Sequence, residues 1–202
     1  NLARRTCPVK GVTSLACDLA SETAVANACV TLEKAVAGCS EVALVHNASQ
    51  MRKDRADDCA SDSLRQVMAT NVIAMNSLNQ RLLPLLPRTS SVLYVGSTLA
   101  EKAVPGAFSY IVSKHAQLGM MRATCQDLMG SGIHTAMICP GFTDTEMLRA
   151  HLGNDPEVAA AWANKIVKQV NDEMRLRALQ ESQANIQYLQ AQLAKTDVVS
   201  IR

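Results

Sequence analysis

Four short apolar runs are distributed over the first 140 positions of the chain. Each is rich in Val, Leu and Ile and is bounded by turn residues, a pattern typical of strands that are buried on both faces. The pattern predicts strands over residues 11–17, 41–45, 91–95 and 133–139.

Three segments of helical length separate these strands. They comprise residues 21–37, 61–83 and 109–129, and each begins with a serine that can cap the first turn. Strict alternation of strands and helices implies right-handed crossovers and a parallel sheet. We therefore expect a single α/β domain over residues 1–202, built on a doubly wound parallel sheet with helices on both faces.

The segment of residues 156–202 differs in composition, because it lacks glycine and contains many Ala and Gln residues. Its apolar residues share one helical face, which favours an amphipathic helix, packed on its own domain or on a neighbouring subunit, over a coiled coil. Residues 197–201 could add a short terminal strand. The apolar stripe consists of Leu176, Leu179, Ile186, Leu189 and Leu193.

Composition and charge exclude several classes of function. The 202 residues carry a formal net charge of +2 and include 3% aromatic residues, without the basic surface and stacking platform that nucleic-acid binding requires. The apolar run at residues 82–86 is far too short to cross a membrane. Seven cysteines without a Cys-x-x-Cys pair favour reduced thiols and a cytoplasmic protein, and neither the cysteines nor the four histidines have a metal-ligand spacing.

Several residues with polar or small side chains follow the predicted strands directly. In a parallel α/β sheet the ligand binds beyond the carboxyl ends of the strands, so these residues are candidates for a binding site. Thr143 and Asp144 are also candidate caps of a following helix. The residues after the strands are Asp18-Leu19, Asn47-Ala48-Ser49, Ser97 and residues 140–145.

Tyr110 and Lys114 are four positions apart and share one face of a predicted helix. Such a pair alone is usually a solvated helix surface, so its meaning depends on its context. In context, the sequence resembles the classical short-chain dehydrogenase/reductase family over about residues 12–150. The matching features are Tyr-Ile-Val-Ser-Lys at residues 110–114, Ser97 thirteen residues before the tyrosine, Asn71 in the preceding helix, Asn47-Ala48 after a strand, and Pro140-Gly141.

The resemblance implies a Rossmann-like three-layer sandwich and an NAD(P)-dependent oxidoreductase that interconverts a small-molecule carbonyl and a secondary alcohol, as a homodimer or homotetramer. It implies Tyr110 as the proton donor or acceptor, Lys114 as its activator and a ribose ligand, and Ser97 as the partner of the substrate carbonyl. Asn71 would organise a water-linked proton path. The cofactor would be bound by Asp18, Leu19, Asn47, Ala48, Tyr110, Lys114, Pro140, Gly141, Thr143 and Thr145.

Two features depart from the family pattern. The glycine-rich turn Thr-Gly-x-x-x-Gly-x-Gly is absent, and residues 46–49 read His-Asn-Ala-Ser where Asn-Asn-Ala-Gly is usual. Residues 1–5 have two interpretations. They are either the end of the helix after that turn, with the second strand missing before Gly11, or they contain a basic strand tip at Arg4 and Arg5, which would favour NADP over NAD.

Because the chain starts with Asn, we expect the glycine-rich turn and the first strand to belong to an N-terminal part that this sequence lacks. The missing turn also motivates an alternative, a non-catalytic binding or scaffold protein on the same fold. A nucleotide-sugar epimerase or dehydratase fits less well, because such enzymes usually carry a longer carboxyl-terminal substrate domain.

Overall fold

The computed structural model describes residues 1–143 and 145–152, together with the isolated positions 180, 183, 186 and 187. The chain divides into two compact units, Asn1–His151 and Leu152–Arg202. The apolar stripe and the terminal strand expected from the sequence fall in the second unit and lie outside the described residues, except for Ile186, which is helical and about half exposed.

In the described part of the first unit, five short strands pair in parallel. Strand β1 (Leu2–Ala3) pairs with β2 (Leu15–Ala16), and β4 (Ser91–Val95) lies between β3 (Ala43–His46) and β5 (His134–Ile138) in a second, three-stranded sheet. The parallel pairing confirms the sheet type predicted from the sequence, and the three strands of the larger sheet lie within two residues of their predicted bounds.

The amino-terminal strand pair corrects two expectations. Residues 1–5 do not end a helix; they contain β1, and Arg4 and Arg5 follow its carboxyl end, as in the alternative interpretation of a basic strand tip. Residues 11–14 are not extended into a strand, because Gly11 adopts a φ of +83° in a turn before β2. Pairing with a distant strand, which a five-residue pattern cannot reveal, decides the conformation of β1.

The described helices begin and end close to the predicted positions. Ser21 caps the first of them, since its Oγ accepts a hydrogen bond from Ala24 N at 3.2 Å, but the other two serines do not cap. Ser61 lies inside its helix, after Ala60, and Ser109 lies in the first turn of the next long helix. No helix of the described part of the chain is both long and apolar enough to cross a membrane. The helices are α1 (Glu22–Val36), α2 (Ser61–Met68), α3 (Ala74–Leu82), α4 (Phe108–Asp127) and α5 (Glu146–Leu152).

The hydrophobic core lies between one face of the sheets and helices α1, α3 and α4. Val92 and Tyr94 of the central strand are fully buried on this face, and α1 packs against α3. The opposite face of the three-stranded sheet carries Val45 and Ile138, each about half exposed. Among the described residues, the helices therefore cover one face of the sheet.

A π-helical turn, Ala69–Ile73, separates α2 from α3 where the sequence predicts one continuous helix over residues 61–83. A π turn inserts an extra residue into the helical repeat, and such turns are frequent at functional sites. The turn contains Asn71, whose side chain is completely buried. The amide therefore points into the protein rather than to solvent.

Candidate active site

The loops after β4 and β5 lie side by side at the carboxyl edge of the three-stranded sheet. Backbone hydrogen bonds hold them together, at 2.8 Å from Gly96 N to Ile138 O and at 3.0 Å from Thr98 N to Pro140 O. A glycine at position 96 suits this close approach, because a Cβ there would lie 2.8 Å from the sulfur of Met137 and the methionine side chain would have to shift. Ser97 is thereby fixed beside the loop that contains Pro140.

The structure brings Ser97, Tyr110 and Lys114 together. The two α4 residues are buried, with Lys114 only 2% exposed, and Lys114 Nζ lies 5.3 Å from the centre of the Tyr110 ring. The Ser97 side chain, after β4, forms a hydrogen bond with the Tyr110 side chain. The spacing of four residues therefore corresponds to a buried pair at a sheet edge and not to a solvated helix face.

Burial shifts both titratable groups of this cluster away from their ordinary values. Burial raises the pKa of the Tyr110 phenol, and the hydrogen bond with Ser97 lowers it in part. Burial lowers the pKa of Lys114 to about 8, and the nearby Cys139 thiol partly opposes this shift. Both shifts have the same origin, since a buried site disfavours the charged form of either group.

The ammonium of Lys114 has two acceptors within the protein. Its Nζ donates to the backbone oxygen of Val95 and to Gln117 Oε1, both at 3.0 Å. An ammonium has three N–H donors. These two bonds use two of them and fix the nitrogen between β4 and α4.

Asn71 connects the loop after β3 with helix α4. Its Nδ2 donates to Gln50 O and to Ser113 Oγ, both at 2.9 Å, and its Oδ1 accepts from Gln50 N at 2.7 Å. The Ser113 hydroxyl in turn donates to Tyr110 O at 2.7 Å. The Asn71 side chain is thus occupied by hydrogen bonds within the protein, and its main-chain oxygen accepts a bond from Gln117 Nε2 at 2.7 Å.

Of the residues expected to bind a cofactor, Tyr110 and Lys114 lie on α4, and the others lie beyond the carboxyl ends of strands. Asp18 and Leu19 follow β2, Asn47 and Ala48 follow β3, and Pro140, Gly141, Thr143 and Thr145 follow β5. Asp18 and Leu19 therefore belong to the two-stranded sheet, whereas the other residues that follow strands belong to the three-stranded one. Most of these side chains are exposed, and Leu19, Ala48 and Pro140 are half-buried.

The loop after β5 ends in a helix cap, but at a different residue from the one expected. Thr145 Oγ1 accepts from Leu148 N at 3.2 Å and so caps α5, whereas the Thr143 hydroxyl donates to Gly141 O at 3.4 Å. Thr143 is therefore not the cap, and Asp144, the other candidate, lies outside the described residues.

Three buried residues around this cluster have no role assigned from the sequence: Ser113, which only belongs to the quoted motif, Gln117 and Asp54. Ser113 and Gln117 each lie three residues after a key residue of α4, and this spacing could have indicated them. Asp54 has no such signal. Its carboxylate accepts from Ser109 N at 3.0 Å and from Ser109 Oγ at 2.5 Å across 55 positions of sequence.

In the part of the chain that the structure describes, neither a group of metal ligands nor the cavity between α3 and α4 coincides with this site. Within the described residues, no group of three or more His, Cys, Asp or Glu side chains could hold a metal ion. A cavity of about 360 Å³ lies between α3 and α4 and is lined by Asn79, Leu83, Met120 and Thr124, among others. None of its lining residues belongs to the cluster around Tyr110, so the cavity is separate from it.

Comparison with known proteins gives a consistent family. The family model described as enoyl-(acyl carrier protein) reductase matches residues 2–175. The chain is 32% identical over 125 residues to the rhamnolipids biosynthesis 3-oxoacyl-[acyl-carrier-protein] reductase of Pseudomonas aeruginosa, covering 58% of this chain and 48% of that protein. The chain spans 35%, 48% and 36% of the length of the first three curated relatives it matches.

Solved structures share the fold. A short-chain dehydrogenase from Burkholderia cenocepacia in complex with NADP is 30% identical, with a TM-score of 0.61 over 66% of this chain and 54% of that one. An NAD(P)-dependent gluconate 5-dehydrogenase candidate from Beutenbergia cavernae is 25% identical, with a TM-score of 0.67 over 74% and 59% of the two chains. Since the family model covers most of the sequence and these folds superimpose on it, the chain belongs to the short-chain dehydrogenase/reductase family.

Proposed function

We propose that this chain forms part of an NAD(P)-dependent oxidoreductase that interconverts a carbonyl and a secondary alcohol by hydride transfer, with Tyr110 as the acid/base. The observation that carries the proposal is the buried cluster in which Tyr110 is hydrogen-bonded to Ser97 and lies beside the Lys114 ammonium. Family membership supports it and does not favour a non-catalytic scaffold.

The residues at the sheet edge are suited to a dinucleotide. The NADP complex of the Burkholderia cenocepacia relative belongs to the same fold. In this chain, the third N–H of Lys114 is available for a ribose hydroxyl, because Val95 and Gln117 accept the other two. Ser49 Oγ and Gln50 Nε2, in the loop after β3, are buried without a hydrogen-bond partner among the described residues, and a polar ligand at this edge would supply one.

Tyr110 and Ser97 act on the oxygen of the substrate. When a carbonyl is reduced, the Tyr110 hydroxyl donates a proton to the oxygen on which negative charge develops, and Ser97 donates a hydrogen bond that stabilises this charge. In alcohol oxidation the phenolate accepts the proton. The nicotinamide, when bound, donates or accepts the hydride.

Lys114 helps the phenol of Tyr110 to act as an acid/base near neutral pH. A free phenol has a pKa of about 10, so lowering it by about 3 units requires roughly 4 kcal/mol of preferential stabilisation of the phenolate. The burial of Tyr110 acts in the opposite direction. A charged Lys114 next to the ring supplies part of the required stabilisation, and the hydrogen bond from Ser97 supplies another part.

Asn71 helps to hold the cluster in place through hydrogen bonds. Its bonds to Gln50 and Ser113 join the loop after β3 to the turn of α4 that contains Tyr110. In the proposed site, residues 47–50 border the adenosine of the cofactor. The same amide would thus fix the position of residues 47–50 relative to Tyr110, the acid/base.

Arg4 and Arg5 favour NADP over NAD in this proposal. Both follow β1 directly and are exposed at the carboxyl edge of the two-stranded sheet, where Asp18 and Leu19 follow β2. Arginine binds phosphate through paired, charge-assisted hydrogen bonds, so a strand tip with two arginines suits the additional phosphate of NADP. Arg5 currently contacts Glu146 at 3.3 Å, an ion pair so exposed that exchange for a phosphate costs little.

The test is turnover by the purified full-length protein and by its Tyr110→Phe variant. NADPH and NADH oxidation would be measured with a panel of ketones, 3-oxoacyl thioesters and oxosteroids. We expect turnover with at least one carbonyl, and a loss of about 100-fold or more in the variant with cofactor Kd nearly unchanged, because only the proton-transferring hydroxyl is removed. Wild-type turnover in Tyr110→Phe would contradict the mechanism, and absence of both cofactor binding and turnover in the wild type would contradict the function.

A further inference from the structure

A buried amide joins two residues of the cluster that the sequence analysis treats separately. Gln117 is 0% exposed and lies three residues after Lys114 on α4, so the two side chains share one face of the helix. Its Oε1 accepts a hydrogen bond from Lys114 Nζ at 3.0 Å, and its Nε2 donates to the main-chain oxygen of Asn71 at 2.7 Å.

The neighbours of Gln117 allow only one orientation of this amide. If the amide were flipped, its NH₂ group would face the ammonium of Lys114 and its oxygen would face the carbonyl of Asn71, so two favourable contacts would become two repulsive ones. The amide oxygen therefore faces Lys114 and accepts its hydrogen bond. A residue of this size at position 117 without an acceptor oxygen would fill the same space and leave the ammonium with one acceptor fewer.

We propose that Gln117 is a positioning residue for Lys114: it holds the ammonium in its charged form against Val95 O and directs the third N–H of Nζ toward the cofactor. This inference rests on the proposed function. Among the described residues, Gln117 forms side-chain hydrogen bonds with Lys114 and Asn71 and not with Tyr110, so it acts through Lys114, which it ties to the π turn at Asn71.

The charges around Lys114 explain why one neutral acceptor matters. The titratable groups that face Lys114 are Tyr110 on the same helix and Cys139 after β5, while β4 and the π turn face this region with the carbonyls of Val95 and Asn71. Burial already lowers the pKa of Lys114 to about 8. The charged form therefore depends strongly on the hydrogen bonds that Nζ makes.

Two variants at this position should shift the titration of Lys114 in opposite directions. Gln117→Met keeps the volume but removes the acceptor, so the pKa of Lys114 should fall by about one unit. Gln117→Glu places a negative charge at the same atom, so the pKa should rise by about one unit or more. A purely structural role for Gln117 predicts no such pair of opposite shifts.

The experiment uses the full-length protein with isotope label at the lysine side-chain ends. Nuclear magnetic resonance follows the Lys114 signal, assigned by its loss in Lys114→Arg, as a function of pH. The alkaline limb of the pH profile of kcat/KM for alcohol oxidation gives a second readout, and it should move down in Gln117→Met and up in Gln117→Glu. Gln126→Met, at an exposed glutamine of the same helix, is the matched control and should change neither readout.

Unchanged titration in both variants, or shifts in the same direction, would overturn the inference while leaving the proposed function intact. If Gln117→Met does not fold, the upward shift in Gln117→Glu alone decides the question. Absence of cofactor-dependent turnover in the wild type would instead contradict the proposed function, and the resonance titration of Lys114, which needs no turnover, would still test whether Gln117 supports the ammonium.

Discussion

At the scale of single residues, the site places two groups with opposed charge requirements in the same buried environment. Burial lowers the pKa of Lys114 to about 8 and raises that of Tyr110, so near neutral pH the free protein holds a charged ammonium beside a neutral phenol. The ammonium favours the charged form of a neighbouring phenol, and a second positive charge nearby favours the phenolate further. In the proposed function, the positive charge of the oxidised cofactor would therefore help the cluster to act as a base.

Lys114→Ala should separate the two roles of this lysine. We expect cofactor Kd to increase roughly ten- to a hundredfold, because a charge-assisted hydrogen bond to the ribose is lost. The pKa of Tyr110 should rise further without the ammonium, so the alkaline limb of carbonyl reduction, which requires the protonated phenol, should move to higher pH. Fluorescence titration and pH–rate profiles measure both effects.

Lys34→Ala, at an exposed lysine of α1, is the control for Lys114→Ala and should alter neither quantity. Unchanged cofactor affinity together with an unchanged pH profile in Lys114→Ala would reduce Lys114 to a core residue without a role in the reaction.

At the scale of secondary structure, α4 owes its starting point to a residue far away in sequence. The helix carries Tyr110, Ser113, Lys114 and Gln117, but its own N-cap, Ala107, has no side chain that can bind the first turn. Asp54 supplies the missing acceptor from the loop after β3 and places a carboxylate at the positive end of the helix dipole.

Asp54→Ala should lower the free energy of unfolding by about 1–3 kcal/mol, because the buried N–H and hydroxyl of Ser109 lose their acceptor. Since the affected turn contains Tyr110, kcat of Asp54→Ala should also decrease. Asp54→Asn keeps one acceptor oxygen, so its free energy of unfolding and its kcat should change less. Denaturant unfolding and steady-state kinetics provide the measurements. Asp57→Ala, at an exposed aspartate of the same loop, should match the wild type, and equal stability of Asp54→Ala and Asp57→Ala would refute the capping role.

At the scale of the whole molecule, the parallel arrangement places the carboxyl ends of β3, β4 and β5 at one edge of the three-stranded sheet and those of β1 and β2 at one edge of the two-stranded sheet. The two-stranded and three-stranded sheets are joined by a common hydrophobic cluster, in which Leu2 and Leu15 of the first and Leu44 of the second pack on α1 and α3. Arg4 and Arg5 follow β1, and Asn47 and Ser97 follow β3 and β4, so these residues are held by sheets that share this cluster although they are far apart in sequence.

Replacing both Arg4 and Arg5 by alanine should weaken NADP binding by about tenfold or more while affecting NAD little, because only NADP carries the additional phosphate. Kd values for the two cofactors, measured in the full-length protein, give the preference directly. Arg65→Ala, an exposed arginine of α2, serves as the control. Equal losses of NADP and NAD affinity, or none, would rule out the basic strand tip as the origin of cofactor preference.

The sequence by itself determined the local elements and the family. Apolar runs bounded by turns identified β3, β4 and β5, the Ser21 cap marked the start of α1, and the spacing of Ser97, Tyr110 and Lys114 indicated the family, because each of these signals is contained in a short stretch of chain. The roles of the individual site residues, a homo-oligomeric state and a cytoplasmic location remain predictions.

The tertiary structure decided what depends on contacts between distant segments. Whether residues 1–5 form a helix or a strand depended on pairing with β2, and whether Lys114 is a solvated or a buried ammonium depended on Val95 and Gln117. The start of α4 depended on Asp54, 55 positions before Ser109. Hydrogen bonds of this kind stabilise a conformation only after the chain has brought their partners together, so no local pattern of residues indicates them.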